Sequence, residues 1–190
     1  LTAKAKKEVL VADIIRLMEC IAPAVLAEDW DNCGLQVGAL HWPVQKIWVA
    51  LDPLLPVIED AGRRQVDMVI THHPLIFRAL QRVSLDTAEG RAIAAALKTR
   101  TAVFAAHTNL DSAVGGINDV LARKIGLQQL CALVAAESGA TGADSTAARD
   151  PAGIGRIGTL ASPLPVGQWA GAIKKQLGLE SVKVAGNMQM

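Results

Sequence analysis

A chain of 190 residues, 51% hydrophobic and 19% charged, can bury a sizeable core as one domain or as a domain with a small partner. Its 19 basic and 18 acidic side chains leave a net charge of +1, so there is no global basic field to draw in a nucleic-acid backbone. No apolar stretch reaches membrane-spanning length, and with two Phe, four Trp and no Tyr the core must be aliphatic and alanine-rich. Cys20, Cys33 and Cys131 are odd in number and widely spaced, which predicts reduced thiols in a cytoplasmic setting. Lys4-Ala-Lys6-Lys7 reads as a solvated terminus.

In chain order, Ile14, Leu17, Met18 and Ile21 follow a helical spacing over Val11–Ile21, limited by Pro23. Residues 46–52 read as a strand. Asp52-Pro53 then predicts a helix start capped by the Asp52 carboxylate, with the helix running to about residue 64. A strand is expected at 67–71. Asp86-Thr-Ala-Glu89 reads as a capping box with Asp86 in the cap, opening a helix to about residue 98. A third strand is expected at 101–106. A helix follows Gly115-Gly116 and stops near Gly126.

Strand–helix alternation with short links predicts parallel strands and right-handed crossovers. The fold class is therefore α/β: a mostly parallel sheet with helices on its faces over residues 1–126, plus a smaller second α/β lobe over 127–190. In the second lobe, strands are expected at 130–135, 154–160 and 181–185 and a helix at 165–177. Residues 137–153, rich in small and polar types, read as a mobile linker.

Two of the expected strands end in imidazoles. Met68-Val-Ile-Thr-His-His-Pro74 hands His72 and His73 to the following loop, and Thr101-Ala-Val-Phe-Ala-Ala-His107 hands over His107, with Asp111 four residues on. Strand ends are where open α/β sheets keep their ligand sites. Imidazole and carboxylate are ordinary ligands for zinc, iron, manganese or nickel. His72, His73, His107 and Asp111 are thus the candidate metal ligands. Adjacent residues on a regular strand point to opposite faces, so His72 and His73 can share a site only if the strand ends there. Asp52 is explained by its capping role, with a catalytic part as the alternative. Glu28-Asp-Trp-Asp31-Asn32 reads either as a capped turn or as a loop folded over the site. Cys33 and His41 have no partners at ligand spacing and read as structural. Gly115-Gly116 is a weak anion-site signal.

Several segments together resemble the Nif-three-like dinuclear-metal-centre proteins, often labelled GTP cyclohydrolase I type 2 homologues. They are Ala27-Glu-Asp-Trp-Asp-Asn-Cys-Gly-Leu-Gln-Val-Gly38, Val49-Ala-Leu-Asp52, Val69-Ile-Thr-His-His-Pro-Leu-Ile-Phe77, Ala106-His-Thr-Asn-Leu-Asp111, Gly115-Gly-Ile-Asn118 and Gly155-Arg-Ile-Gly-Thr-Leu160. The resemblance implies two divalent ions, with His72 and His73 each binding one, Asp111 binding one of them and His107 a ligand or near neighbour. It also implies a cytoplasmic protein assembled as a ring-shaped homohexamer. The family completes its site with a histidine and a glutamate near the C-terminus and returns there to the first lobe. No histidine follows His107 in this sequence. The chain is therefore expected to be a fragment with an incomplete metal site.

The function so implied is a dinuclear-metal-dependent hydrolase acting on a nucleotide or similar small anion. The alternative is a metal-binding oligomeric scaffold or metal-handling protein without turnover. Neither a membrane nor a nucleic acid is an expected partner.

Overall fold

A computed structural model describes residues 8–136 and 152–189. The chain divides into two compact units, Leu1–Leu110 and Asp111–Met190. The basic run at residues 4–7 and most of the expected linker lie outside the described residues.

In the first unit, α1 (Val11–Ile21) and a short 3₁₀ turn (Ala24–Leu26) precede β1 (Gly34–Val37) and β2 (Ile47–Ala50). α2 (Leu55–Arg63), β3 (Met68–Thr71), α3 (Ala88–Thr99) and β4 (Ala102–Ala105) complete an alternating α/β pattern. The strand order is β1-β4-β3-β2. β2, β3 and β4 are parallel, in the register Ala50↔Thr71↔Ala105. The expected mostly parallel sheet is therefore present, with antiparallel β1 added at one edge.

Side chains alternate between the two sheet faces, as the pleat requires. Val69 and Val103 pack with Ile58, Ala61, Ile93 and Ala96 of α2 and α3. Met68, Ala102 and Phe104 pack with Val11 and Met18 of α1. Because both faces are covered, β4 is buried along its whole length and reads as a continuous apolar run.

Register decides what meets at the sheet edge. The parallel strands end together, so the residues just past Ala50, Thr71 and Ala105 emerge on one side. β1 runs the opposite way with Gly34 paired to Ala105, so it begins where they end. Residues 31–33, 52, 72–73 and 107 are thereby gathered along one edge.

Three local expectations are corrected. α2 opens at Leu55 with Leu54 in the cap position and no side-chain cap, because the Asp52 carboxylate is engaged by His73 instead. α3 is capped by Thr87 rather than Asp86: the Thr87 hydroxyl oxygen accepts from the Gly90 N–H at 3.0 Å, while Asp86 accepts from the Ser84 hydroxyl. Gly90 permits this turn, since a Cβ there would lie 1.9 Å from the Ser84 carbonyl oxygen. Residues 181–185 pair with no strand among the described residues.

The second unit opens within the short helix α4 (Thr108–Ser112), which the sequence reading did not anticipate. α5 (Ile117–Lys124) follows and ends before Gly126, whose φ of +90° makes it the expected left-handed stop. The Gly115 N–H donates to the Asp119 carboxylate at 2.8 Å, so α5 supplies the partner of that amide itself. β5 (Gln128–Ala135) and β6 (Gly153–Thr159) form an antiparallel pair, and α6 (Val166–Leu177) follows. Arg156 of β6 is buried against Asp119 of α5, with side-chain exposures of 2% and 7%. Its guanidinium also donates to the carbonyls of Gly153 and Gly155 at 2.6 Å and of Ala113 at 3.1 Å. The Arg156–Asp119 pair therefore ties the hairpin to α5.

Candidate metal centre

β3 ends at Thr71, and the chain turns at once. The Thr71 hydroxyl donates to the His73 carbonyl at 2.8 Å, while the His72 and His73 amides donate to the carbonyls of Ala50 and Leu51. The two imidazoles thus escape the opposite-face rule of a regular strand, and their ring centroids lie 4.9 Å apart. His107, two residues past the end of β4 at Ala105, places its ring 5.0 Å from His72 and 5.6 Å from His73. One ring nitrogen from each of the three lies within 4.8 Å of the others. Ligands at about 2.1 Å from a shared ion are at most about 4.2 Å apart. A small side-chain adjustment would therefore suit this group to an ion.

Each imidazole is held through Nδ1. His72 Nδ1 meets the Ala106 carbonyl at 3.1 Å, His73 Nδ1 meets Asp52 Oδ1 at 2.6 Å, and His107 Nδ1 meets Asp31 Oδ1 at 2.9 Å. All three partners are acceptors, so Nδ1 carries the proton in each ring. Nε2 is then the nitrogen with a lone pair for a metal. Acceptors behind ligating histidines fix the tautomer and ring orientation and raise ligand basicity.

Asp31 is the most constrained of these groups. Its side chain is fully buried. Besides His107, it accepts from the Thr108 amide at 3.0 Å, the Thr108 hydroxyl and the Cys33 thiol at 3.1 Å. Burial pushes the Asp31 carboxyl up, but the hydrogen bonds from Thr108, His107 and Cys33 outweigh it and hold the group well below the usual carboxylate range. Asp31 therefore stays ionised. Burial and the adjacent carboxylate push the Cys33 thiol up, and its sulfur lies within reach of two acceptors, Asp31 Oδ2 at 3.1 Å and Asn109 Oδ1 at 3.0 Å, for its one proton. Asn109 in turn accepts from the His107 amide and donates to the Ala22 carbonyl, tying the site to the end of α1.

The structure brings His72, His73 and His107 together. Asp111 stands in α4, in the second unit, and the three-imidazole group is formed without it. Asp31 and Asp52 each hold one of the three imidazoles, a positioning contact that residue spacing does not reveal. Asp31 had a signal, the acidic loop around Trp30, and that loop meets the His107 ring through Asp31 and Trp30. For Asp52 the sequence offers a helix cap or a catalytic part, and the carboxylate bonds His73 instead of capping α2. A cleft of about 230 Å³ opens beside His73, lined by Asp52, Leu55, Pro74, Leu75, Glu89 and Ala92.

Sheet and site together define an α/β protein with a strand-end histidine cluster suited to a metal ion. The chain belongs to the Duf34/NIF3 (NGG1p interacting factor 3) family, whose profile matches residues 9–190. It is 46% identical over 123 residues to the GTP cyclohydrolase 1 type 2 homolog of Bacillus subtilis (strain 168), covering 65% of this chain and 33% of that protein. It is 35% identical over 176 residues to the protein of the same name from Clostridium perfringens (strain 13 / Type A), covering 93% and 63%. The chain thus spans between one third and just under two thirds of these relatives' length. Among solved structures, the Bacillus cereus protein related to NIF3 superposes with a TM-score of 0.83 at 25% identity, covering 97% of this chain and 74% of that one. Reduced HcgD from Methanocaldococcus jannaschii superposes with a TM-score of 0.72 at 29% identity, covering 89% and 60%.

Proposed function

We propose that this chain carries the metal-binding part of a metal-dependent hydrolase acting on a nucleotide or a similar small anionic molecule. The observation that carries the reading is that all three clustered imidazoles have Nδ1 held by an acceptor. Three imidazoles suit zinc, iron, manganese or nickel. His72, His73 and His107 would hold the ion through Nε2, and Asp111 is proposed as a further, anionic ligand. When bound, a divalent ion supplies the Lewis acidity that activates water and polarises the bond to be cleaved.

The chain's own groups prepare that chemistry. Asp31 and the Ala106 carbonyl hold two rings in one tautomer from inside the protein, and Asp52 does the same for His73 from the rim. The charges of Asp31 and Asp52 offset a cation's charge from behind the ligands. The cleft beside His73 gives a small substrate room to approach. In this reading the complete site holds two ions, and the protein acts in the cytoplasm as a hexameric ring. No helix among the described residues is long and apolar enough to cross a membrane.

The test is a panel of nucleotides and phosphate esters, with GTP first because of the relatives' name, assayed with added Mn²⁺, Zn²⁺ or Fe²⁺. Metal-dependent turnover abolished by His72→Ala supports the reading. Tight metal retention with no turnover across the panel would overturn it in favour of metal handling.

A further inference from the structure

The chain has two Phe and four Trp, and one of each meets at the metal centre. Trp30 and Phe77 pack edge-to-face with centroids 5.9 Å apart, and they lie 6.3 Å and 6.4 Å from the His107 ring. Both are substantially exposed, Trp30 at 59% and Phe77 at 47%. Large aromatic rings stabilise a fold when they are buried. Rings left half in water beside a polar site contribute much less of that, which points to a use outside the core.

The segments carrying the two rings are also tightly fastened. The Glu28 amide donates to the Thr108 hydroxyl oxygen at 3.0 Å, and Asp31 is anchored beneath His107. On the other side, the Asn32 side-chain amide donates to the Ile76 carbonyl at 2.5 Å, and the Ile76 amide donates to Gln36 Oε1 at 3.1 Å. Gln36 closes the loop by donating to the Asn32 carbonyl at 2.8 Å. Trp30 and Phe77 are thus presented from two segments locked to each other and to the residues around His107. Such preorganisation lowers the ordering cost of binding.

We infer that Trp30 and Phe77 form a stacking platform for a planar heteroaromatic ring, whose substituents would then reach the imidazole cluster. The ring is the base of the nucleotide in the function proposed above, and its identity rests on that reading. Stacking on an aromatic side chain tolerates any base, because every base has a π-face. The platform therefore holds the ring and leaves the choice among bases to other contacts.

The test needs no turnover. Adenosine and guanosine, which lack phosphate, and ribose 5-phosphate, which lacks the ring, are titrated into the full chain by ligand-observed saturation-transfer NMR. Metal-free and Zn²⁺-loaded protein are both used. Both nucleosides are expected to bind in both forms, and ribose 5-phosphate to bind the metal-free form at least tenfold more weakly. Trp30→Ala should weaken nucleoside binding by about 5- to 150-fold, the range of one base–aromatic stack, and Trp30→Phe should restore most of it. Unchanged nucleoside affinity in Trp30→Ala would overturn the inference. Saturation by tetramethylammonium without nucleoside binding would also overturn it and make the pair a cation site. A smaller sedimenting species for the Trp30→Ala/Phe77→Ala double variant would overturn it by making the patch a contact between copies. Trp30-dependent nucleoside binding without hydrolysis would keep the platform and sink the hydrolase reading. Hydrolysis with no Trp30 dependence would do the reverse.

Discussion

Asp31 and His107, 76 residues apart in sequence, meet at 2.9 Å between Oδ1 and Nδ1, with the carboxylate fully buried beneath the ring. A ring held this way cannot rotate or change tautomer without breaking a charge-assisted hydrogen bond. Metal affinity should therefore depend on a residue that never touches the metal. Asp31→Asn is expected to weaken metal binding by about 10- to 100-fold. Competition against a chromophoric chelator measures this, and wild-type affinity in the variant would refute it.

Asp52 holds His73 at a shorter distance, 2.6 Å, but the two side chains are 42% and 45% exposed. Solvated pairs of this kind contribute at most about 1 kcal/mol and are screened by salt. Asp52→Asn is accordingly expected to cost less than tenfold in metal affinity, and less again at 0.5 M salt. A loss larger than that of Asp31→Asn would reverse the ranking drawn from burial.

The buried Arg156–Asp119 pair makes the second unit sensitive to a single change. Removing one partner strands the other charge away from water, at a cost of about 3–5 kcal/mol. Arg156→Met should lower the urea midpoint accordingly. A shift below 1 kcal/mol would show that β6 relaxes to hydrate Asp119.

The same pair sets a pH dependence. Burial raises the Asp119 carboxyl, but the Arg156 hydrogen bond, the Gly115 amide and the charges of Arg156 and Arg123 lower it further, for a net shift below the ordinary value. The unfolded carboxyl titrates near about 3.9, so the folded state binds the proton less readily. Its stabilisation is complete above that value and is lost as pH falls towards the folded pKa. The difference in urea midpoint between wild type and Asp119→Asn should therefore narrow from pH 6 to pH 2.5. A gap that holds constant or widens contradicts the assignment.

Ligand arithmetic gives a stoichiometry. Three imidazoles can hold one ion well, and a second cation a few ångströms away is repelled unless further anions stand close. Fewer than two ions per chain should survive dialysis against a mild chelator, as read by elemental analysis. Asp111→Ala should lower retention more than Glu28→Ala does. Two tightly kept ions would mean that Asp31 or Asp52 turns inward as a direct ligand.

Much of this was legible locally. The apolar runs ending in His72-His73 and His107 announced buried strands with ligands at their ends, because a strand covered on both faces needs no polar residue until it leaves the sheet. The spacing of Ile14, Leu17, Met18 and Ile21 marks a helix within Val11–Ile21, where α1 lies, because a helix is built from neighbours three and four apart. Caps were less legible: Thr87 displaced Asp86, since the choice depends on where the loop ending at Ser84 folds back. Asp52 bonds His73, 21 residues away, in place of its expected cap, a contact set by the pairing of β2 with β3. No pattern within a few residues could place Asp31 under His107. That contact exists because β1 runs antiparallel to β4 and starts where the parallel strands stop. Residue type and periodicity thus named the imidazoles that could bind a metal. The carboxylates that orient them were chosen by strand register, which is set by pairing between segments far apart in the chain.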